Sequence, residues 1–365
     1  MANFKEKEKD NIFMRIVKYL IPWKGDKPMD IVRKIIFLVS AVVLIVSLIQ
    51  LISYYSGVAI DNKNNESLSD LFHGAEQTTE AEDDVTGSNT TINIDTSTDS
   101  SDDTTDEKEP EIMEQFLPLL EINEDIVGWI SMGDEDDPFI DYVVVQGDDN
   151  DFYLDHNYMK EKNVGGSIFA DYRHDLSAGN EPANTILYGH NMASGEYFGQ
   201  VPRYFNYKPG QESMGIEFYK TYPTFTFSTL YEKNTYKIFG GMMVNTKTSE
   251  GEVFYYLNGR DFETKAEFDN YVAQILDRST FYTDVDLKYG DHLITLSTCI
   301  MDYGSWNLRW VLFGRKVRDG EDPTVDVSKA YANPDPLYFD AYYRVYGGEW
   351  GGRKWPSEMI FDYSY

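Results

Sequence analysis

The sequence predicts a mainly β domain with peripheral helices, set behind an N-terminal membrane-crossing helix and an acidic disordered tether. Three observations carry the prediction. Short runs rich in β-branched and aromatic residues, punctuated by Gly, Asp and Asn, recur through residues 112–318. An uncharged apolar run fills residues 35–52. Between them, residues 76–111 carry 13 acidic side chains and one lysine among Ser, Thr and Asn. Such a composition has too little apolar surface to offset the entropy of ordering.

Residues 1–34 are basic, with nine Lys and Arg against five Asp and Glu. Within them, residues 11–21 place apolar side chains at helical spacing with Arg15 and Lys18 interleaved, which suits a short helix lying on an anionic inner leaflet. The alternative, a core helix, has no neighbouring domain to pack against. The run 35–52, at about 1.5 Å per residue, spans close to a hydrocarbon core, and Tyr54 and Tyr55 supply an interfacial belt. Residues 35–55 therefore read as a single-pass anchor. Arg33 and Lys34 precede it and the acidic stretch follows, so the positive-inside rule leaves the N-terminus in the cytoplasm and the rest outside the cell membrane. A cleaved signal peptide is the rival reading. Its charged and apolar regions would both be long, although Gly57-Val58-Ala59 resembles a cleavage site.

Residues 56–111 read as a self-repelling linker. A calcium-binding cluster there would lack the glycine and regular spacing of an EF-hand loop. The formal net charge of -30 and pI near 4.4 argue against nucleic acid as a partner, since phosphate binding needs a basic footprint.

In the β domain, residues 111–120 suggest a short helix, and residues 184–190 a strand ending in a Gly-His turn. Residues 236–244 read as a further strand. Residues 262–276 have apolar positions at 262, 268, 271, 272, 275 and 276, the spacing of an amphipathic helix. Two more strands occupy 292–298 and 308–317, the second antiparallel to the first across a short loop. Residues 318–323 are a breaker. The extension 319–365 is dense in Tyr and Trp, too aromatic for a disordered end, and is expected to pack on the domain.

Cys299 is the only cysteine, so an internal disulfide is excluded. A lone cysteine is commonly a small apolar filler. This one ends a strand before a loop, where a rigid sheet hands a side chain to a cleft. A thiol nucleophile needs a basic neighbour, and the chain has five histidines. His73 lies beside the linker, and His292 is seven residues back on the cysteine's own strand. His190 closes another strand with a Gly-His turn and has the same placement as Cys299. Arg309, at the start of the next strand, can approach Cys299 across the hairpin mouth. A guanidinium stays protonated, so it suits holding a carbonyl or an oxyanion rather than acting as a base. Without the cysteine it would read as a surface arginine.

Thr295-Leu296-Ser297-Thr298-Cys299, with Arg309 ten residues on and Tyr188-Gly189-His190 upstream, resembles a sortase, specifically class B. The resemblance runs in order through residues 125–130, 140–146, 149–154, 166–173 and 184–191, and covers about 113–318. It implies a closed antiparallel sortase-type β-barrel over 112–318 and a thiol transpeptidase of a Gram-positive surface. Cys299 would attack the Thr–X bond of a C-terminal sorting signal and form a thioacyl enzyme, resolved by an amine of cell-wall precursor or of a pilin. His190 is the implied acid/base partner and Arg309 the oxyanion and substrate holder, while Asn150, Leu154 and Ser297 match groove-lining positions. The implied partners are surface proteins bearing sorting signals and the amine acceptor. No cofactor and no metal is implied. The helix at 262–276 would wall the groove, with Tyr255 and Tyr256 either joining it or serving as core aromatics. Asp137-Pro138-Phe139 resembles the lid of pilin-assembling sortases, but between two strands it reads as a turn. Ile300, where an acidic residue is often seen, and the long tail depart from the family pattern and bear on substrate choice.

Two other classes stay open. A papain-like cysteine hydrolase would also use Cys and His, though with an Asn or Asp orienter. A non-catalytic surface-binding module would use the aromatic tail as a platform and make no demand on Cys299.

Overall fold

The structure is a computed structural model that describes residues 12–83, 110–205, 212–300, 302–304 and 307–355. The chain divides into two compact units, Met1–Lys63 and Asn64–Tyr365.

The first unit holds α1 (Ile12–Leu20) and the beginning of α2 (Pro28–Asp83). Lys34 ties the two helices together. Its Nζ donates to the Lys18 carbonyl at the end of α1 and pairs with Asp26, both at 2.6 Å. A cation at an α-helix C-terminus meets carbonyls that have no partner within the helix. Farther along α2 the apolar run stands open, with Ile36, Leu44 and Ile52 all about 60 % exposed or more. Among the described residues, α2 is the one helix long and apolar enough to cross a membrane.

The helix does not stop where the acidic linker was expected to begin. It runs to Asp83, through the first part of the 56–111 segment. In the second unit the reason is visible: Leu68 and Phe72, four residues apart on one helix face, are buried. Phe72 stacks on Trp129 at 4.4 Å between ring centroids. Beside them Asp141 accepts from Trp129 Nε1 at 2.7 Å and bonds with Ser69 and His73. Two large apolar side chains suffice to order a turn that the surrounding charge conceals. The densest acidic stretch, 84–109, lies outside the described residues.

The rest of the second unit is a β-barrel. Its elements are α3 (Leu117–Ile122), β1 (Ile126–Asp134), β2 (Asp137–Val145), β3 (Ile168–Ala170), β4 (Asn184–Tyr188), α4 (Glu212–Thr221), β5 (Thr224–Thr229), β6 (Lys233–Asn245), α5 (Lys265–Arg278), β7 (Phe281–Tyr282), β8 (Leu293–Cys299), β9 (Leu308–Lys316), β10 (Tyr331–Ala332) and α6 (Asp340–Tyr346). Eight strands close in the order β1-β2-β3-β4-β8-β9-β6-β5, and β7 pairs with β10 outside. The closure is as expected, but the barrel is not wholly antiparallel: β2–β3 and β4–β8 are parallel. A parallel neighbour needs a long crossover. Between β4 and β8 the chain provides one, passing through β5, β6 and α5 before it returns.

Strand alternation separates two cores. Ile294, Leu296, Trp310 and Leu312 point into the barrel, while Leu293, Val311 and Phe313 point outward under α5. The expected amphipathic helix is α5, started by Thr264, whose hydroxyl accepts from Glu267 N. Asp137-Pro138-Phe139 begins β2 directly after a two-residue turn, with Asp137 opposite Asp134. The C-terminal extension packs on the barrel as far as it is described, burying Phe339, Tyr342 and Trp355.

Candidate active site

The site is set by β8 and its two neighbours. Because successive strand residues face opposite ways, Thr295, Ser297 and Cys299 lie on the outer face of the barrel. On one side β9 runs antiparallel, with Arg309 directly opposite Cys299. On the other, β4 runs parallel with Tyr188 beside Ser297, and Gly189 N continues the ladder to the Ser297 carbonyl at 3.3 Å. Two residues beyond that pair, His190 is level with Cys299. The next residue confirms the placement, since Asn191 Nδ2 donates to the Cys299 carbonyl at 2.9 Å. Adjacent strands are about 4.8 Å apart, so imidazole, thiol and guanidinium come from three neighbouring strands at one level.

Each group is held. His190 Nε2 lies 2.7 Å from the Leu154 carbonyl, which can only accept, so Nε2 carries the proton and Nδ1 is the basic nitrogen of the neutral ring. Arg309 Nη1 donates to the Leu308 carbonyl at 2.9 Å. Cys299 is partly exposed, as a nucleophile must be.

The expected groove residues divide. Leu154 is 42 % exposed and presents its carbonyl to His190. Asn150 bonds Asp171 at 3.2 Å and accepts from Tyr172 N. Ser297 is buried, its hydroxyl 2.7 Å from the Tyr256 phenol. Burial raises the Tyr256 phenol above its ordinary value, against the Ser297 hydrogen bond and the positive field of Arg309. Tyr256 is thus both core and site, while its neighbour Tyr255 is exposed.

Two groups escaped the residue patterns. Asn191 follows the histidine, and only its reach to the Cys299 carbonyl reveals it. Asp171 is fully buried and gathers the Arg173 guanidinium, the Tyr188 hydroxyl and Asn150. Burial would raise its carboxyl, but those donors hold it well below the usual range. An aspartate with a cation two residues on, Asp171 and Arg173, was the available signal.

The other histidines are engaged elsewhere. His174 is buried and accepts from Ile186 N at 2.8 Å, and burial lowers it to about 4, so it is neutral. His156 stacks on Phe152, His292 Nδ1 donates to the Pro182 carbonyl, and His73 pairs with Asp141. A cavity of about 400 Å³ opens between residues 252–262 and α5, lined by Phe254, Tyr255, Tyr271 and Arg278. It borders the Tyr256 wall, and Cys299, His190 and Arg309 are not among the residues that line it.

No family model matches the sequence. Sortase B of Listeria monocytogenes is 33% identical over 212 residues, 57% of this chain and 76% of the relative. Sortase B of Staphylococcus aureus is 29% identical over 204 residues, 56% of this chain and 75% of that one. Among solved structures, Staphylococcus aureus sortase B superposes with a TM-score of 0.54 at 25% identity, covering 71% of this chain and 99% of that one. Sortase B of Bacillus anthracis gives 0.51 at 26% identity, covering 72% and 99%. With its closed eight-stranded barrel and a single cysteine at the end of β8, the chain belongs to the class B sortases, a family of cysteine transpeptidases.

Proposed function

We propose that the chain is a membrane-anchored transpeptidase that cleaves the Thr–X bond of a C-terminal sorting signal and transfers the threonyl carbonyl to a cell-wall or pilin amine. The observation that carries this reading is the register setting His190 and Arg309 on either side of Cys299. A solved complex of Staphylococcus aureus sortase B with its substrate, at a TM-score of 0.53 and 25% identity, adds support.

In this reading the Cys299 thiol passes its proton to His190 Nδ1, and the resulting thiolate attacks the threonyl carbonyl carbon, forming the C–S bond. Arg309 offsets the charge that develops on the carbonyl oxygen. As the C–N bond breaks, His190 protonates the leaving amine. The incoming amine gives its proton back to His190, attacks the thioacyl carbon and releases the thiolate. Leu154 supports the histidine by fixing its tautomer and lines the groove with Asn150, while Ser297, buried against Tyr256, backs the wall behind it. Residues 35–55 anchor the enzyme, with the N-terminus cytoplasmic and the barrel outside.

The test is to trap the thioacyl adduct from a library of Thr–X peptides and read its mass. Cys299→Ala abolishes the adduct, peptide cleavage and transfer to an added amine. Turnover retained in that variant removes the mechanism. A cleavage rate indifferent to added amine would favour a hydrolase instead.

A further inference from the structure

Arg309 begins β9, and two turns flank that beginning. One is the β8–β9 loop, where Tyr303 adopts φ 64° and ψ 4°, a left-handed conformation uncommon outside glycine. The other leaves the end of β6, where Val244 pairs with Arg309 and Asn245 with Leu308. Asn245 Nδ2 bonds the Lys247 and Gly251 carbonyls at 3.0 Å, and Thr246 N bonds the Asn307 carbonyl at 2.7 Å. The C-terminal extension grips both turns. On the first, Tyr303 meets Phe339 edge-on at 5.3 Å and lies 6.4 and 6.2 Å from Tyr342 and Tyr346. On the second, Arg344 pairs with Glu250 at 2.8 Å, and the Asp340 carboxylate sits so close over Gly251 that a Cβ there would lie 2.8 Å from it.

The grip is itself anchored. β10 pairs with β7, Leu337 N bonds the Asp277 carbonyl at 2.8 Å, and the buried Asp277 carboxylate accepts from Arg353 and Trp355. The extension is therefore tied to the end of α5 on both sides of α6, and α6 spans the gap to the catalytic rim.

We propose that residues 339–346 are a positioning strap, which holds the Tyr303 loop and the 248–251 turn together and so fixes Arg309 opposite Cys299. The proposal rests on the transpeptidase reading for its kinetic consequence, but not for its geometry. Among the described residues, the strap contacts named above fall on the two turns. It acts by keeping Tyr303 in its left-handed conformation and a strand end in register, because strain of this kind persists only where surrounding packing over-determines it.

The experiment uses the full chain with Tyr342→Ala and Tyr342→Phe, measuring sorting-peptide kinetics, the rate at which a maleimide alkylates Cys299, and the thermal midpoint. Loss of the ring should lower kcat about tenfold or more while KM changes less than about threefold, as a small misplacement of a catalytic group does. Alkylation should accelerate severalfold, and Tyr342→Phe, which keeps the ring stacked on Tyr338, should restore both values. Unchanged kcat and unchanged alkylation in folded Tyr342→Ala would overturn the proposal. If that variant does not fold, Arg344→Glu decides: a roughly two- to fivefold loss of kcat, recovered in Arg344→Glu/Glu250→Arg, supports the strap, and no loss refutes it. Should the wild type cleave no Thr–X peptide, the transpeptidase reading fails, and the alkylation rates still judge the strap.

Discussion

Cys299 has two flanks, and they are held by different physics. On the β4 side, the imidazole depends on hydrogen bonds made on the outer face of the barrel. Leu154 receives His190, and the buried Asp171 joins Tyr188, Arg173 and Asn150 behind it. On the β9 side, Arg309 stands between two turns whose outer supports come from the C-terminal extension. The first flank is a closed polar network, costly to open because each buried group would lose its partner. The second is built from exposed or half-exposed pairs and stacked rings, and is correspondingly softer. The histidine side is therefore the rigid reference against which the arginine side is set.

The largest expected effects fall on the two reacting partners themselves. His190→Ala should reduce kcat/KM by about a thousandfold or more, and Arg309→Lys by about a hundredfold, because an ammonium cannot reproduce the planar fork of a guanidinium. Steady-state cleavage of a sorting peptide checks both. An Arg309→Lys enzyme with near-normal kcat would show that charge alone suffices on that side.

Next in size is Asp171→Ala. Removing a buried carboxylate leaves Arg173 and Tyr188 without their acceptor and should cost about 3 kcal/mol of stability. Chemical denaturation reads it, and a loss under about 1 kcal/mol would mean that the β4 flank is no more rigid than the other.

A pH experiment addresses the same flank. His174 is held near 4, below its value in the unfolded chain. Between about pH 6.5 and 4 the unfolded state binds the extra proton, so stability should fall as pH drops through that window, by at most about 3 kcal/mol. His174→Gln should flatten this limb, and a limb unchanged in the variant would assign it to other groups.

The smallest effect belongs to the outer support. Arg344→Ala removes a pair whose arginine is 61% exposed, so its cost to folding should stay below about 1 kcal/mol. A markedly larger loss would make the extension part of the folding core rather than an addition to it.

Much of the β9 flank was legible before any coordinates. Cys299 and Arg309 sit on consecutive strands joined by a short loop, and a hairpin brings such ends together by local geometry alone. The helix at α5 was equally readable from its spacing. The β4 flank was less so. His190 and Cys299 are separated by more than a hundred residues, and their alignment depends on a parallel pairing that no short stretch specifies. The elements α4 and β5 were not among the expected ones, although Phe225 and Phe227 alternate with threonines in the manner of a half-buried strand. The helical turn carrying Leu68 and Phe72 was masked by the acidic average around it.

By itself, then, residue order determined the charge-free helix, the strand-borne thiol, the choice of imidazole and guanidinium as its companions, and an aromatic tail that had to pack somewhere. Only the tertiary structure decided that the barrel contains two parallel pairings, that one of them sets His190 level with Cys299, and that the tail closes over the turns beside Arg309. The division has one physical cause. Period and composition report which face of an element is buried, whereas the partner across that face is set by long-range pairing and by which buried polar groups find each other.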